Sequence, residues 1–317
     1  VAEILKQRDS GGPFTSIFDF AKRLCAVSGV NKRLIESLVL SGAFDSLCAN
    51  RRQCFDAIDS AIHYANSCAS SAASGMESLF SVMGDGGVTS IPEPNLPKVP
   101  EWGQLEKLRR EKDVLNFYVS GHPLEQFQLD VEAFAQVKLG EVDEKQEFTA
   151  PVRACGIISA IRTKLDRREN QIAFVTIEDF TGKAECVFWS DNYRKFAPVL
   201  SQGEMVFIIG KAELNGADGI KIIADDVIPM TQARARFTNA LAVDVRLDTV
   251  VPDAIERTLQ LFKNNPGELQ CIFRVYNEHR ELSGRWASRR YTVTASNELV
   301  DGLIDIYGGG YVKLLGK

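Results

Sequence analysis

No stretch of this sequence is apolar for long enough to cross a bilayer, and no signal-peptide pattern opens it. No two cysteines stand as CxxC. The seven thiols (Cys25, Cys48, Cys54, Cys68, Cys155, Cys186 and Cys271) are odd in number and scattered. They read as unpaired thiols, buried or incidental, in a reducing cytoplasm. Cys54, His63 and Cys68 lie near one another, but their spacing fits no zinc pattern. There is no P-loop, no glycine-rich dinucleotide fingerprint and no nucleophile elbow. The acidic set that holds two metal ions for nucleotidyl transfer is also missing. Glu178-Asp179 and Asp225-Asp226 are adjacent on expected strands, where neighbouring side chains face opposite ways. Positive charge is not in excess either. The formal net charge is -5, so any contact with nucleic acid must come from a local patch.

What is present is an ordinary globular composition, 45% hydrophobic and 25% charged, over 317 residues. That length has room for roughly two or three domains. The chain opens inside a helical pattern without a methionine, as a fragment of a longer protein would. Gly11-Gly12-Pro13 breaks this helix. Thr15 or Ser16 then caps a second, through Phe18, Phe20, Ala21 and Leu24. Asn31 caps a third, with Leu34, Ile35, Leu38, Val39 and Leu40 on a broad buried face, and Ser41-Gly42 ends it. Asn50 caps a fourth, running to about Cys68. Helix, glycine turn, helix is the outline of a helix-hairpin-helix, which holds DNA phosphates on backbone N–H groups beside a helix N-terminus. Lys32, Arg33, Arg51 and Arg52 flank the turn at Gly42. They read either as phosphate contacts or as solvated helix ends.

Residues 69–100 are rich in Ser, Ala, Gly and Pro and read as a flexible linker. Inside it lies an apolar island, Met76-Glu77-Ser78-Leu79-Phe80. It reads either as a short motif that orders in a partner's groove or as a patch folded onto the protein's own surface. An amphipathic helix follows, with Trp102, Leu105, Leu108 and Leu115 apolar. Glu106, Lys107, Arg109, Arg110, Glu111 and Lys112 fill its wet side. It is expected to stop at Ser120-Gly121-His122-Pro123, with His122 in a structural role at the helix end.

From Pro151 the periodicity becomes two. Five strands with a short helix between the third and fourth give the OB arrangement, which binds single strands on exposed aromatics and basic loops. Alternation turns Ala173, Val175 and Ile177 inward and Phe174 and Thr176 to the opposite face. Of Phe188 and Trp189 only one can be exposed. Arg162, Lys164, Arg167 and Arg168 are the most basic run, read as a loop. Thr231 to Thr238 reads as a polar connector. The remainder alternates strands and helices and reads as an α+β unit with an antiparallel sheet. Arg285, Trp286, Arg289, Arg290 and Tyr291 form a cluster that suits either an interface or a charged edge strand.

The phrases GGPFTSIFDFAKR, VNKRLIESLVLSGAFDSL and NRRQ, with Phe117-Tyr118 and Ser120-Gly121-His122-Pro123-Leu124, resemble the alpha subunit of bacterial DNA polymerase III. The resemblance covers nearly the whole chain. It implies a multidomain α and β architecture: a helical helix-hairpin-helix region at 1–68 with its first hairpin truncated, the linker at 69–100 and a connecting helix with the SGHPL segment at 101–149. An OB-fold β-barrel at 150–230 and a small α+β C-terminal domain at 239–317 follow. It further implies a cytoplasmic parent enzyme, a DNA-directed DNA polymerase of chromosomal replication, using Mg²⁺ in catalytic domains that precede Val1. The fragment itself then has no cofactor and no catalytic residue. The implied partners are duplex and single-stranded DNA, the sliding clamp and the clamp-loader tau subunit. Leu79 and Phe80 match the family's clamp-binding motif, and Met76 stands where that motif carries glutamine. A free-standing single-stranded nucleic-acid-binding OB protein without polymerase activity is the alternative.

Overall fold

Polar caps start the second, third and fourth helices where the sequence predicts them. In the computed structural model, which describes residues 1–317 apart from 26, 28–29, 75–90, 143–147, 215–218, 278, 280 and 317, two units form, Val1–Pro123 and Leu124–Lys317. The first holds α1 (Ala2–Gly11), α2 (Ile17–Leu24), α3 (Lys32–Leu40), α4 (Arg51–Asp56), α5 (Ile58–Ser74) and α6 (Gln104–Leu115). Ser16, Asn31 and Asn50 each accept the N–H three residues ahead, from Asp19, Leu34 and Gln53. After α3, Gly42 takes a φ of 81°, in the left-handed region. Its N–H donates to the Val39 carbonyl and that of Ala43 to Leu38, which closes the helix end as a Schellman turn. Two expectations need correction. Only Ile35 and Val39 of the α3 face are buried. The helix expected to end near Cys68 instead pauses at Ala57 and continues as α5 to Ser74.

Glu111 departs furthest from the pattern. Placed by periodicity on the wet side of α6, it is 0% exposed, while Leu105 is exposed. The helix ends at Leu115 on a left-handed Asn116, earlier than Ser120. The chain then doubles back. The N–H groups of Val119 and Ser120 donate to Glu111 Oε2 at 3.0 and 2.9 Å, and Ser120 Oγ donates to Oε1 at 2.7 Å. Arg51, 5% exposed, completes the cluster. Its Nε and Nη2 each reach Asp45 at 2.7 Å, Nη2 also donates to Ser120 Oγ at 2.8 Å, and Nη1 lies 3.5 Å from Glu111. Burial alone would push the Glu111 pKa up. The N–H groups of Ser120 and Val119, the Ser120 hydroxyl and the Arg51 guanidinium outweigh it and hold the pKa below the ordinary value. His122 packs edge-on against Tyr118 at 5.2 Å.

The second unit begins with α7 (Gln128–Phe134) and runs through β1 (Val152–Leu165), β2 (Gln171–Glu178), β3 (Lys183–Phe188), α8 (Ser190–Phe196), β4 (Met205–Leu214) and β5 (Ile220–Pro229). The five strands close into a barrel in the order β1-β2-β3-β5-β4. Ala173, Val175, Ile177, Cys186, Phe188 and Ile222 fill its interior. At Gly210 a side chain is excluded, because a Cβ would stand 2.0 Å from the Ile223 carbonyl oxygen of the paired strand. Next come α9 (Met230–Phe237), β6 (Thr238–Arg246), α10 (Ala254–Asn264), β7 (Pro266–Tyr276), β8 (Leu282–Val293), α11 (Asn297–Tyr307) and β9 (Val312–Gly316).

The expected polar connector is therefore a helix. Met230, Ala233 and Phe237 of α9 are buried, and the Phe237 ring meets Phe134 and Phe207 at 5.5 and 5.4 Å. Arg234 forks onto Asp130 at 2.8 and 2.9 Å and donates to Asn297 at 2.8 Å. The C-terminal sheet, ordered β8-β7-β6-β9, is mixed and not antiparallel throughout. β6 and β7 pair in parallel because α10 carries the chain back across the sheet before β7 begins.

Glu111→Ala should destabilise the first unit by about 3–5 kcal/mol, the usual cost of breaking a buried charged pair. Because the folded pKa lies below the unfolded one, this stabilisation is complete above the ordinary glutamate range and is lost as pH falls through the folded value. Urea melts of wild type and Glu111→Gln from neutral to acid pH test both points. Wild type should lose stability more steeply on acidification, and parallel curves would contradict the assignment.

Candidate nucleic-acid interface

Strand alternation builds a polar and aromatic face on the outside of the barrel. Ala173, Val175 and Ile177 are buried inward, and Phe174 and Thr176 are half-buried on the outer side. Pairing across the sheet sets Arg162 of β1 beside Phe174 of β2 and Phe174 beside Val187 of β3. The same row continues to Ile223 of β5 and Lys211 of β4. A cation thus stands at each end, with the aromatic ring between them. The flanking row is Ala160, Thr176, Glu185, Lys221 and Glu213, so the face is mixed in charge. Lys164 Nζ lies 5.6 Å from the Phe174 ring centroid, and Arg162 pairs with Glu185 at 3.0 Å.

The basic run is not one loop. β1 extends to Leu165, so Arg162 and Lys164 are strand residues and only Arg167 and Arg168 belong to the hairpin tip. Asp166 shapes that tip, accepting the N–H groups of Arg168 at 2.7 Å and Asn170 at 2.8 Å. The Asn170 N–H foremost, then that of Arg168, holds the Asp166 pKa below its ordinary value. Of the Phe188 and Trp189 pair, Phe188 is the core residue and Trp189 is 53% exposed. Lys211 and Lys221 were missed from sequence, because only the barrel register brings them to this face.

The helical hairpin is different. Arg51, expected at phosphates, is buried and fully engaged by Asp45, Ser120 and Glu111. Lys32 pairs with Asp59 at 2.6 Å, Arg52 lies 3.8 Å from Asp56, and Arg33 is exposed. The turn N–H groups at Gly42 and Ala43 close α3. Those of Arg51 and Arg52 donate to the Glu101 carboxylate at 2.8 and 3.2 Å. The backbone donors that a phosphate would need at this turn are therefore satisfied internally.

Met76, Leu79 and Phe80 lie outside the described residues. On the edge strand β8, Trp286 is 56% exposed, and Ser288 closes a bulge onto Tyr291 that carries Arg289 and Arg290. Five thiols are buried, and burial pushes those of Cys155 and Cys271 up to about 12. Among the described residues, no group of three or more His, Cys, Asp or Glu is placed to hold a metal ion. No helix among them is long and apolar enough to cross a membrane.

Residues 1–54 match the helix-hairpin-helix motif family, and residues 152–230 match the OB-fold nucleic acid binding domain family. Together these domain types indicate DNA binding. DNA polymerase III subunit alpha of Neisseria meningitidis serogroup A is 30% identical over 318 residues, 99% of this chain and 27% of the relative. The serogroup B protein is 33% identical over the same shares. The chain is a relative of the C-terminal portion of the bacterial DNA polymerase III alpha subunit. It spans 27% of the length of these two relatives. Among solved structures, the second single-stranded DNA binding protein of Mycobacterium smegmatis aligns with a TM-score of 0.23 and 18% identity, covering 26% of this chain and 89% of its own.

Asp166→Ala should loosen the hairpin tip without opening the barrel. Amide hydrogen exchange should accelerate at Arg168 and Asn170 and stay unchanged at Val175 and Ile177. Unchanged exchange at Arg168 would show that the tip does not depend on Asp166.

Proposed function

We propose that this chain is the DNA-holding and partner-contacting C-terminal part of a replicative polymerase alpha subunit. The observation that carries the reading is the cross-strand row from Arg162 through Phe174 to Lys211 on the outside of an OB-type barrel. A base stacks on Phe174, while Arg162, Lys164, Arg167 and Arg168 neutralise the phosphates on one flank. Duplex DNA meets the hairpin region through Lys32, Arg33 and Arg52, with Arg51 serving as an internal strut. The parent enzyme extends DNA with Mg²⁺ bound outside this chain. The chain alone does not extend a primer, since its sequence offers no acidic set for two metals. The C-terminal sheet, with Trp286 and the arginines of β8, faces the clamp loader's tau subunit. The match along 99% of the chain, hairpin, barrel and sheet together, favours this reading over a free-standing single-strand-binding protein.

Phe174→Ala should weaken binding of single-stranded DNA about fivefold or more, since stacking on one aromatic contributes roughly 1–3 kcal/mol. Fluorescence anisotropy with a labelled oligonucleotide measures it, and an unchanged titration would remove Phe174 from the path.

The sliding clamp is engaged by the island at Met76, Leu79 and Phe80. Leu79→Ala combined with Phe80→Ala should abolish binding to the cognate clamp in surface plasmon resonance, and Met76→Gln should strengthen it. Equal binding by wild type and the double variant would exclude the island as the anchor.

A further inference from the structure

We propose that Trp189 is a second base-stacking platform on the barrel, beside Phe174, so that two successive bases of one extended strand are held there. This rests on the outer-face reading given above and names a further contact within it.

Phe188 of β3 pairs with Ala173 of β2, and both are buried inside the barrel. The residue after Phe188 continues the extended backbone, with φ -66° and ψ 160°. Alternation then puts Trp189 on the same side as Val187, which is the side of Phe174. An exposure of 53% agrees with that direction. Val187 is the direct cross-strand partner of Phe174, so Trp189 stands on the diagonal from it. Diagonal neighbours are about 7–8 Å apart. That is wider than the roughly 3.4 Å rise along one strand of duplex DNA. Two rings at this spacing suit bases that have been drawn apart, as in an extended single strand.

The surroundings fit the same ligand. Extending the pairing by one residue sets Trp189 beside Ile172, whose partner on β1 is Lys164. Lys164 lies 5.6 Å from the Phe174 ring, and the β1–β2 hairpin with Arg167 and Arg168 follows it at that end of the strands. The one acid of the adjoining helix turn is Asp191, which sits on the exposed side of α8.

The position is also rigid. The Trp189 carbonyl accepts the Tyr193 N–H at 2.8 Å and so starts α8. Asn192 ties that helix to the Ala224 carbonyl of β5 at 2.8 Å, and Phe196 anchors it in the barrel core. A backbone fixed before binding leaves only the two side-chain torsions of the tryptophan to be ordered on stacking. Among the described residues the other exposed aromatics do not share this placement. Phe117 follows α6 in the first unit, Phe180 lies in the turn before β3, at its far end, and Trp286 belongs to the other sheet.

The test uses the whole 317-residue chain with Trp102→Phe and Trp286→Phe, leaving Trp189 as the single tryptophan of three. Titration with a thymidine oligonucleotide should quench Trp189 fluorescence in step with binding seen by anisotropy. In the wild-type background, Trp189→Ala should weaken binding about fivefold or more and Trp189→Phe should keep most of it. If Phe174→Ala weakens binding while Trp189→Ala does not and the fluorescence is unmoved, the second platform is overturned and the outer-face reading stands. If neither variant alters binding, both are overturned.

Discussion

A buried guanidinium, Arg51, and the two carboxylates it faces, Asp45 and Glu111, decide how the first unit is put together. Neither Arg51 nor Glu111 is tolerable alone in that environment, since a desolvated charge without a partner costs several kcal/mol. Each therefore fixes the other's surroundings. Asp45 holds the guanidinium by its fork, Ser120 bridges it to Glu111, and Glu111 turns the chain after α6 by accepting two backbone N–H groups. The glycine at position 42 belongs to the same arrangement. A Cβ there would stand 2.2 Å from Arg51 Nη2. The SGHPL phrase is in this light partly a structural signature, with its serine serving as the hinge of the ion cluster.

That arrangement has a functional consequence. A helical hairpin whose central arginine and turn N–H groups are engaged internally offers DNA only its peripheral cations, and two of these face acids of their own. The barrel is organised the other way. Closure of its strands satisfies the sheet edges, and alternation assigns every second side chain to the interior. Part of the outer surface is covered, with Phe207 packed against Phe134 and Phe237, and the part around Phe174 brings cations and an aromatic ring into adjacent rows. The protein's net charge of -5 is compatible with this, because these rows carry Arg162, Lys164, Lys211 and Lys221 against Glu185 and Glu213.

Features set by near neighbours in sequence were legible in advance. The caps at Ser16, Asn31 and Asn50 follow from side chains that bond three residues ahead. The inward set Ala173, Val175 and Ile177 follows from a period of two. What was not legible depends on distant partners. Arg51 meets Glu111 at a separation of 60 residues and Arg234 meets Asp130 at 104, so periodicity read one as a surface charge and placed the other in a polar connector. The parallel pairing of β6 with β7 was likewise hidden, because strand direction depends on how α10 crosses the sheet. Lys211 entered the candidate site only through register. Trp189 was visible as one of two alternatives, and the packing of Phe188 decided between them.

On the proposed reading a single strand meets the outer face of the barrel and not the buried arginine of the hairpin. Hydrogen–deuterium exchange of the whole chain, with and without saturating single-stranded oligonucleotide, tests it most directly. Added protection is expected over the β1–β2 hairpin and along β2 and β3, with no change at residues 42–52. Protection at 42–52 with none over the barrel would contradict it.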